Sequence, residues 1–320
     1  MKRFLTFFLM FTFNAICIHS KTVSFPKYIA LEPDLNQYYL YANGGWDGNW
    51  YVGYNNCWIV KLPPISTKNH KKVYIGAKLG RAKTYPMENK PWVKAPFEGK
   101  LFMAVSQNAQ FSSQETYVLV NNKDIPLETP KKESLLKAGN SQWFWIEVPA
   151  RKISATQPNY LALWSGTESF VNELTSPIVA GAVTNGGQSS AWLNRSIKGV
   201  PPRDISSSLE TPLKGIAPAM AIKLVPQNNL KVEIKNFEVK RKKNRLIISF
   251  NAHGQDIDRG WVELSHDKFN WAKFSRFVFN PPYSISIDIG DVPDSIFYLR
   301  ASASDIMENT GHSQEIKIDK

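Results

Sequence analysis

At 320 residues, with 43% hydrophobic and 21% charged residues, the chain has the balance of a folded protein of about two domains, which excludes wholesale disorder. Thirty-nine Lys and Arg against 27 Asp and Glu give a net charge of +12, a balance suited to acidic partners. Two cysteines exclude a disulfide scaffold; with only five histidines and no zinc-ligand spacing, neither a metal nor a cofactor is expected.

Residues 1–20 read MKRFLTFFLMFTFNAICIHS. A basic start (Lys2, Arg3), an apolar stretch from Phe4 to Phe13 and small residues at Ala15 and Ser20 are the grammar of a secretory signal peptide. Cleavage after Ser20 and cleavage after Cys17 are both open, as is lipid modification of Cys17, although Asn14-Ala15-Ile16 departs from a lipobox. The expected location is extracytoplasmic: periplasm, cell surface or medium, with no transmembrane span once the signal is removed. If Cys17 leaves with the signal, Cys57 is the only mature cysteine. At the entry to an apolar run it reads as a buried, inert thiol rather than a nucleophile, and His70 is the only histidine in residues 21–227 available to serve it.

From there the chain is short β-branched and aromatic runs separated by turns. Tyr51–Tyr54, Trp58–Leu62, Val73–Leu79, Leu101–Val105, Tyr117–Val120, Trp143–Val148, Tyr160–Trp164 and Ala219–Val225 are the predicted strands. One short helix is predicted over Lys131–Lys137. Residues 21–227 are long enough for one large sandwich, and their size, strand content and tryptophan usage are loosely similar to secreted jelly-roll carbohydrate-binding modules.

The segment YYLYANGGWDGNWYVGYNNCW, residues 38–58, carries the sharpest functional reading. Asn43-Gly44-Gly45 and Asp47-Gly48-Asn49 are turn chemistry, and Trp46, Trp50 and Tyr51 flank it. Indole faces beside short amides and a carboxylate suit a sugar, whose C–H face stacks while its hydroxyls hydrogen-bond. Trp46, Asp47, Asn49, Trp50 and Tyr51 are therefore candidate ligand residues; the alternative is that the tryptophans fold back onto a sheet. In Trp143 to Val148, alternation puts Trp143, Trp145 and Glu147 on one face and Phe144, Ile146 and Val148 on the other. The second set reads as core, and Trp143 and Trp145 as a second candidate binding surface. For a glycoside hydrolase the candidate acids are Asp47, Glu147, Glu168 and Glu173, none singled out by its neighbours. No Gly-x-Ser-x-Gly elbow, P-loop or dinucleotide fingerprint occurs, so no catalytic residue is assigned.

A boundary is predicted at Pro226–Asn229, where the charge also divides. Residues 21–227 carry 23 Lys and Arg against 14 Asp and Glu, a net +9, and residues 228–320 carry 14 against 13. Eight of the ten tryptophans lie before the boundary, so cationic and aromatic surface concentrate in one domain. The charge could serve acidic polysaccharide, lipid head groups or extracellular, not cytoplasmic, nucleic acid, but the lysines fall in small groups in or near turns, which reads as a solvated lysine-rich surface: Lys68, Lys71 and Lys72; Lys78, Arg81 and Lys83; Lys90 and Lys94; Lys131 and Lys132.

Residues 228–320 alternate cleanly. Leu246, Ile248, Phe250 and Ala252 share one face, as do Ile285, Ile287 and Ile289, and Phe297, Leu299, Ala301 and Ala303. The run Phe297–Asp305 with Asn309, together with Asp258–Trp271, resembles bacterial immunoglobulin-like and fibronectin type III-like modules over about 90 residues. Two departures stand out: Phe297 replaces the usual Tyr, and Glu308 the usual turn Gly. The resemblance implies a spacer or docking module. Asp256 with Asp258, and Asp288 with Asp291 and Asp294, read as turn residues rather than calcium ligands. Lys240–Lys243 reads as a solvated basic turn.

The sequence thus predicts an exported all-β protein: a jelly-roll-like sandwich, residues 21–227, followed by an immunoglobulin-like sandwich, residues 228–320. The function expected is non-catalytic recognition of a glycan or cell-envelope polymer, acidic ones included, by the first domain. The alternatives are a secreted carbohydrate-active hydrolase and a structural assembly subunit.

Overall fold

The computed structural model describes residues 25–40, 50–127, 140–185, 189–204, 208–227, 231–290 and 296–319. The signal segment, the turn with Trp46, Asp47 and Asn49, the predicted helix at 131–137, residues 228–230 of the boundary, and Asp291 and Asp294 lie outside the described residues.

The protein is nearly all β, as its composition predicts; beside the strands, the described residues include 3-10 turns at Leu35–Gln37, Ser113–Glu115, Asn122–Asp124 and Ala150–Lys152. In the first half, one antiparallel sheet orders the strands Lys27–Ala30, Met220–Pro226, His70–Gly80 and Ser141–Val148, with Ile178–Val179 against the end of His70–Gly80. A second sheet runs Thr211–Leu213, Ala191–Asn194, Cys57–Leu62, Asn159–Ser165, Lys100–Ser106, Thr116–Asn121. Period-two alternation explains how they pack. Val73, Ile75, Ala77 and Leu79 from the first sheet meet Val60, Leu62, Leu101, Met103, Val105, Leu161 and Leu163 from the second in one core, all 0–1% exposed. The opposite residues of the second sheet, Cys57, Ile59, Ala104, Ala162 and Trp164, form a satellite core on its outer face with Phe111 and Ile197, and Leu209 packs against it. Tyr51–Tyr54 makes isolated bridges rather than a strand: Tyr51 pairs with Ile178 and Gly53 with Asn56.

The second half has its own core, built from Leu246, Ile248, Phe250, Val262, Tyr283, Ile285, Ile287, Phe297, Leu299 and Ala301 among others. One sheet orders Glu233–Lys242, Arg245–His253 and Tyr283–Asp288; the other orders Ala272–Lys273, Ile257–Ser265 and Ile296–Asp305, which then pairs with Thr310–His312 and Ile316–Asp319. Both departures from the immunoglobulin-like pattern are legible in the coordinates. Phe297 is fully buried in the core, where a hydroxyl would need a partner. Glu308 takes the left-handed conformation (φ 61°) that the usual glycine would supply. The turn holds because Asp305 Oδ1 accepts from the backbone N–H groups of Met307 and Asn309, 2.9 Å each, and Arg259 clamps the Glu308 carboxylate.

That same turn docks on the first half. Trp145 Nε1 donates to the Met307 carbonyl at 3.1 Å, and Asn309 Nδ2 donates to the Tyr28 hydroxyl at 2.6 Å. Met307 is 3% exposed and belongs to the first core. Lys223 bonds Asn309 Oδ1 and lies 5.4–6.0 Å from the ring centroids of Tyr28, Tyr74 and Trp145. Aromatic rings and a turn that buries Met307 thus join the two cores.

Candidate functional site

The sequence-predicted residues are placed as follows. Trp50 is 4% exposed, and its ring stacks on Trp58 with centroids 4.9 Å apart. Gly181 closes its other side, since a Cβ there would stand 2.6 Å from the indole. Trp50 is a core residue. Tyr51 is 9% exposed and its hydroxyl donates to Asn55 Oδ1 at 3.1 Å.

Trp143 and Trp145 do share a face, stacked at 5.1 Å, but that face is covered. Tyr38 packs edge-on against Trp143, Tyr28 leans at a tilt on Trp145, and the Met307 carbonyl accepts the Trp145 N–H. Trp143 is 2% exposed, while Phe144, Ile146 and Val148 face the first core as the alternation predicts. Tyr38 and the second module's Met307 cover the sheet on that side, with Tyr28 of the edge strand beside them, and no sequence period shows this.

Among the candidate acids, Glu147 is exposed and paired with Lys72 at 2.7 Å. Glu168 and Glu173 sit in turns. Cys57 is fully buried, and burial pushes its thiol far up, which keeps it protonated. His70 bonds the Lys68 carbonyl through Nδ1 at 2.8 Å. Asp258 pairs with Arg259 at 2.9 Å, and Asp288 accepts from Gly290 N–H. No cluster of three metal-ligating side chains occurs among the described residues.

The exposed aromatic surface of the first half lies elsewhere. Thr84–Met87 and Lys90–Pro96 form a two-stranded hairpin outside both sheets. It carries Trp92 at 78% exposure, with Tyr85, Met87 and Val93 also exposed. Beneath it opens a groove of about 700 Å³ lined by Tyr85, Phe97 and Phe102 with Glu98, Lys100, Asn121, Lys123 and Thr167.

The groove is built from strand ends. Lys100 and Phe102 begin Lys100–Ser106, Asn121 ends Thr116–Asn121, and Thr167 follows Asn159–Ser165. Its floor is tied by hydrogen bonds: Ser165 Oγ donates to the Lys100 carbonyl at 2.7 Å, and Lys100 N–H donates to Thr167 Oγ1 at 3.1 Å. Phe102 rests on Trp164 with centroids 5.8 Å apart and a 23° tilt, which fixes the ring from behind. Gly166 keeps space beside it, for a Cβ there would stand 3.2 Å from the Phe102 ring. Tyr85 leans on Phe97 at 5.2 Å. The buried Asn122 anchors the near wall by donating to the Phe97 carbonyl at 2.8 Å. The groove therefore combines held aromatic rings, an amide, a hydroxyl, two ammonium groups and one carboxylate. Sequence reading passed over these residues because Lys90 and Lys94 read as solvated lysines. The available signal was KPWVKAP, in which an indole stands between lysines and prolines in a stretch too polar for a core.

No protein-family model and no curated protein matches the chain. Among solved structures, it is similar to the glycoside hydrolase domain of Endo-D from Streptococcus pneumoniae R6 at 10% identity and TM-score 0.31, covering 82% of this chain and 31% of that one. The FN1–FN3 domains of chicken CNTN1 match at 12% identity and TM-score 0.27, covering 84% and 65%. A Lactobacillus rhamnosus β-glucuronidase matches at 9% and 0.22, covering 84% and 36%. The chain spans less than two thirds of each.

Proposed function

We propose that the protein is a secreted, non-catalytic binder of a glycan or cell-envelope polymer, and that the first sandwich holds its ligand in the groove under the 84–96 hairpin. The observation that carries this reading is the set Tyr85, Phe97 and Phe102 around one open concavity of about 700 Å³ that also holds Asn121, Thr167, Lys100 and Lys123. Sugars need that mixture: a flat apolar face for ring C–H groups and short polar groups for hydroxyls. Binding is favoured over hydrolysis because Glu98 is the one carboxylate among the lining residues, whereas glycosidic cleavage uses two. The second sandwich, docked through its 305–309 turn, serves as a spacer that fixes the orientation of the first.

Calorimetric titration of the mature protein with a panel of neutral and acidic oligosaccharides tests the reading. A ligand whose affinity falls tenfold or more in both Phe102→Ala and Tyr85→Ala supports it, on the scale of one lost stacking contact of about 1.4 kcal/mol. Absence of any binder, or a binder indifferent to both substitutions, contradicts it.

A further inference from the structure

A second groove, of about 780 Å³, lies at the other end of the strand Lys100–Ser106. Seven residues at ~3.3 Å each put the two grooves roughly 20 Å apart. Its lining includes Ser106, Asn108, Glu115, Arg151, Lys152 and Arg203. Between the grooves, the outer face of the sheet is closed by the satellite core of Trp164, Phe111 and Ile197.

The acceptors of Glu115 and Asn108 in this second groove are already engaged by the protein. Glu115 Oε1 accepts from Lys152 Nζ at 3.3 Å, and Oε2 accepts from Ser112 N–H and Ser112 Oγ at 3.3 and 3.0 Å. Asn108 Oδ1 accepts from Ser106 Oγ and Gln110 N–H at 3.0 and 3.1 Å. The donors remain. Arg151 and Arg203 have no carboxylate partner among the described residues, and both are exposed. The guanidiniums are set on held backbone: Ile153 N–H closes the turn at Ala150–Lys152 on the Ala150 carbonyl at 3.1 Å, and Phe111 N–H bonds the Pro202 carbonyl at 3.0 Å. A wall of donors with net positive charge takes an acceptor-rich anion, and planar guanidinium suits carboxylate and sulfate. The one aromatic lining residue, Phe111, is 1% exposed, so the groove offers no platform on which a nucleobase could stack.

We infer that this groove is a second binding site, distinct from the aromatic one, for carboxylated or sulfated saccharides, with Arg151 and Arg203 as the anion-binding residues. The site stands on its own donor pattern and does not require the aromatic groove to bind anything.

The test is calorimetric titration with three oligosaccharides of equal length: oligogalacturonate, sulfated dextran and unmodified dextran. A dT oligonucleotide serves as a fourth probe, and each is run at 50 and 200 mM salt. The expected result is binding of one or both acidic saccharides. That binding weakens at the higher salt and falls at least tenfold in Arg151→Ala/Arg203→Ala. Whichever acid binds more tightly names the carboxylate or the sulfate as the recognised group. Failure of both acidic saccharides to bind overturns the inference. So does binding that survives the double substitution. Oligonucleotide binding of equal strength with the same arginine dependence overturns it in favour of a general polyanion surface.

Discussion

Trp50 and Lys223 show how far a single residue's environment departs from its type. Tryptophan in a Gly-rich stretch suggests a ligand platform, yet Trp50 has both faces packed, by Trp58 and by the backbone at Gly181. Trp50→Ala is therefore expected to cost about 3–5 kcal/mol in urea unfolding, the range for emptying a core aromatic site. A loss below about 1 kcal/mol would show that the ring is not held by the core. Lys223 is 8% exposed, and desolvation lowers its pKa to about 8 against nearby Asp305 and Glu308, which pull it upward. Because its folded-state pKa lies below the unfolded value near 10.5, the unfolded chain holds more protons between pH 8 and 10.5. Stability from this group therefore rises with pH across that window, by on the order of 2–3 kcal/mol. Lys78 is lowered by burial too, so the difference between wild type and Lys223→Met isolates the effect. The gap in unfolding free energy should shift in favour of wild type from pH 7.5 to pH 10; a constant gap contradicts the assignment.

Elements were the most legible level. Trp58–Leu62, Val73–Leu79, Leu101–Val105 and Tyr160–Trp164 all lie within strands of the structure, since β-branched runs between turn residues leave the backbone few other ways to bury both faces. The second half was clearest: Leu246, Ile248 and Phe250 face in, and Arg245, Ile247 and Ser249 face out. The misreadings are equally physical. Tyr51–Tyr54 has strand composition, but its partners are single bridges to Ile178 and Asn56, so no ladder forms. In Ser141–Val148 the alternation does set Phe144, Ile146 and Val148 toward the first core, beside Ala77, Ile75 and Val73, but the opposite face with Trp143 and Trp145 is covered as well, which period two does not reveal. One glycine decides that strand's packing. Gly76 lies opposite Trp145 in the register, and a Cβ there would stand 2.3 Å from the indole and 2.5 Å from the Phe144 carbonyl. Gly76→Val should destabilise by about 1–3 kcal/mol through overpacking, read by thermal unfolding. An unchanged Tm would mean that Trp145 moves freely, and with it the contact to Met307.

At the scale of the molecule, two cores are joined by the Asp305–Asn309 turn, and the aromatic surface first assigned to a ligand is largely spent on that joint and on the first core. This could not be read from the sequence, because which sheet face receives a neighbouring module depends on contacts such as Trp145 with Met307, 162 residues apart. The groove that remains open was hidden for the same reason: Tyr85, Phe97, Phe102, Asn121 and Thr167 come from separate elements and have no local motif. The most direct test of its role is saturation-transfer NMR of a bound oligosaccharide, with the protein's aromatic protons irradiated. The account predicts strongest transfer to the C–H protons on one face of a sugar ring, lost in Tyr85→Ala/Phe102→Ala and kept in Arg151→Ala/Arg203→Ala. Uniform transfer around the ring, or transfer that persists without Tyr85 and Phe102, would contradict it.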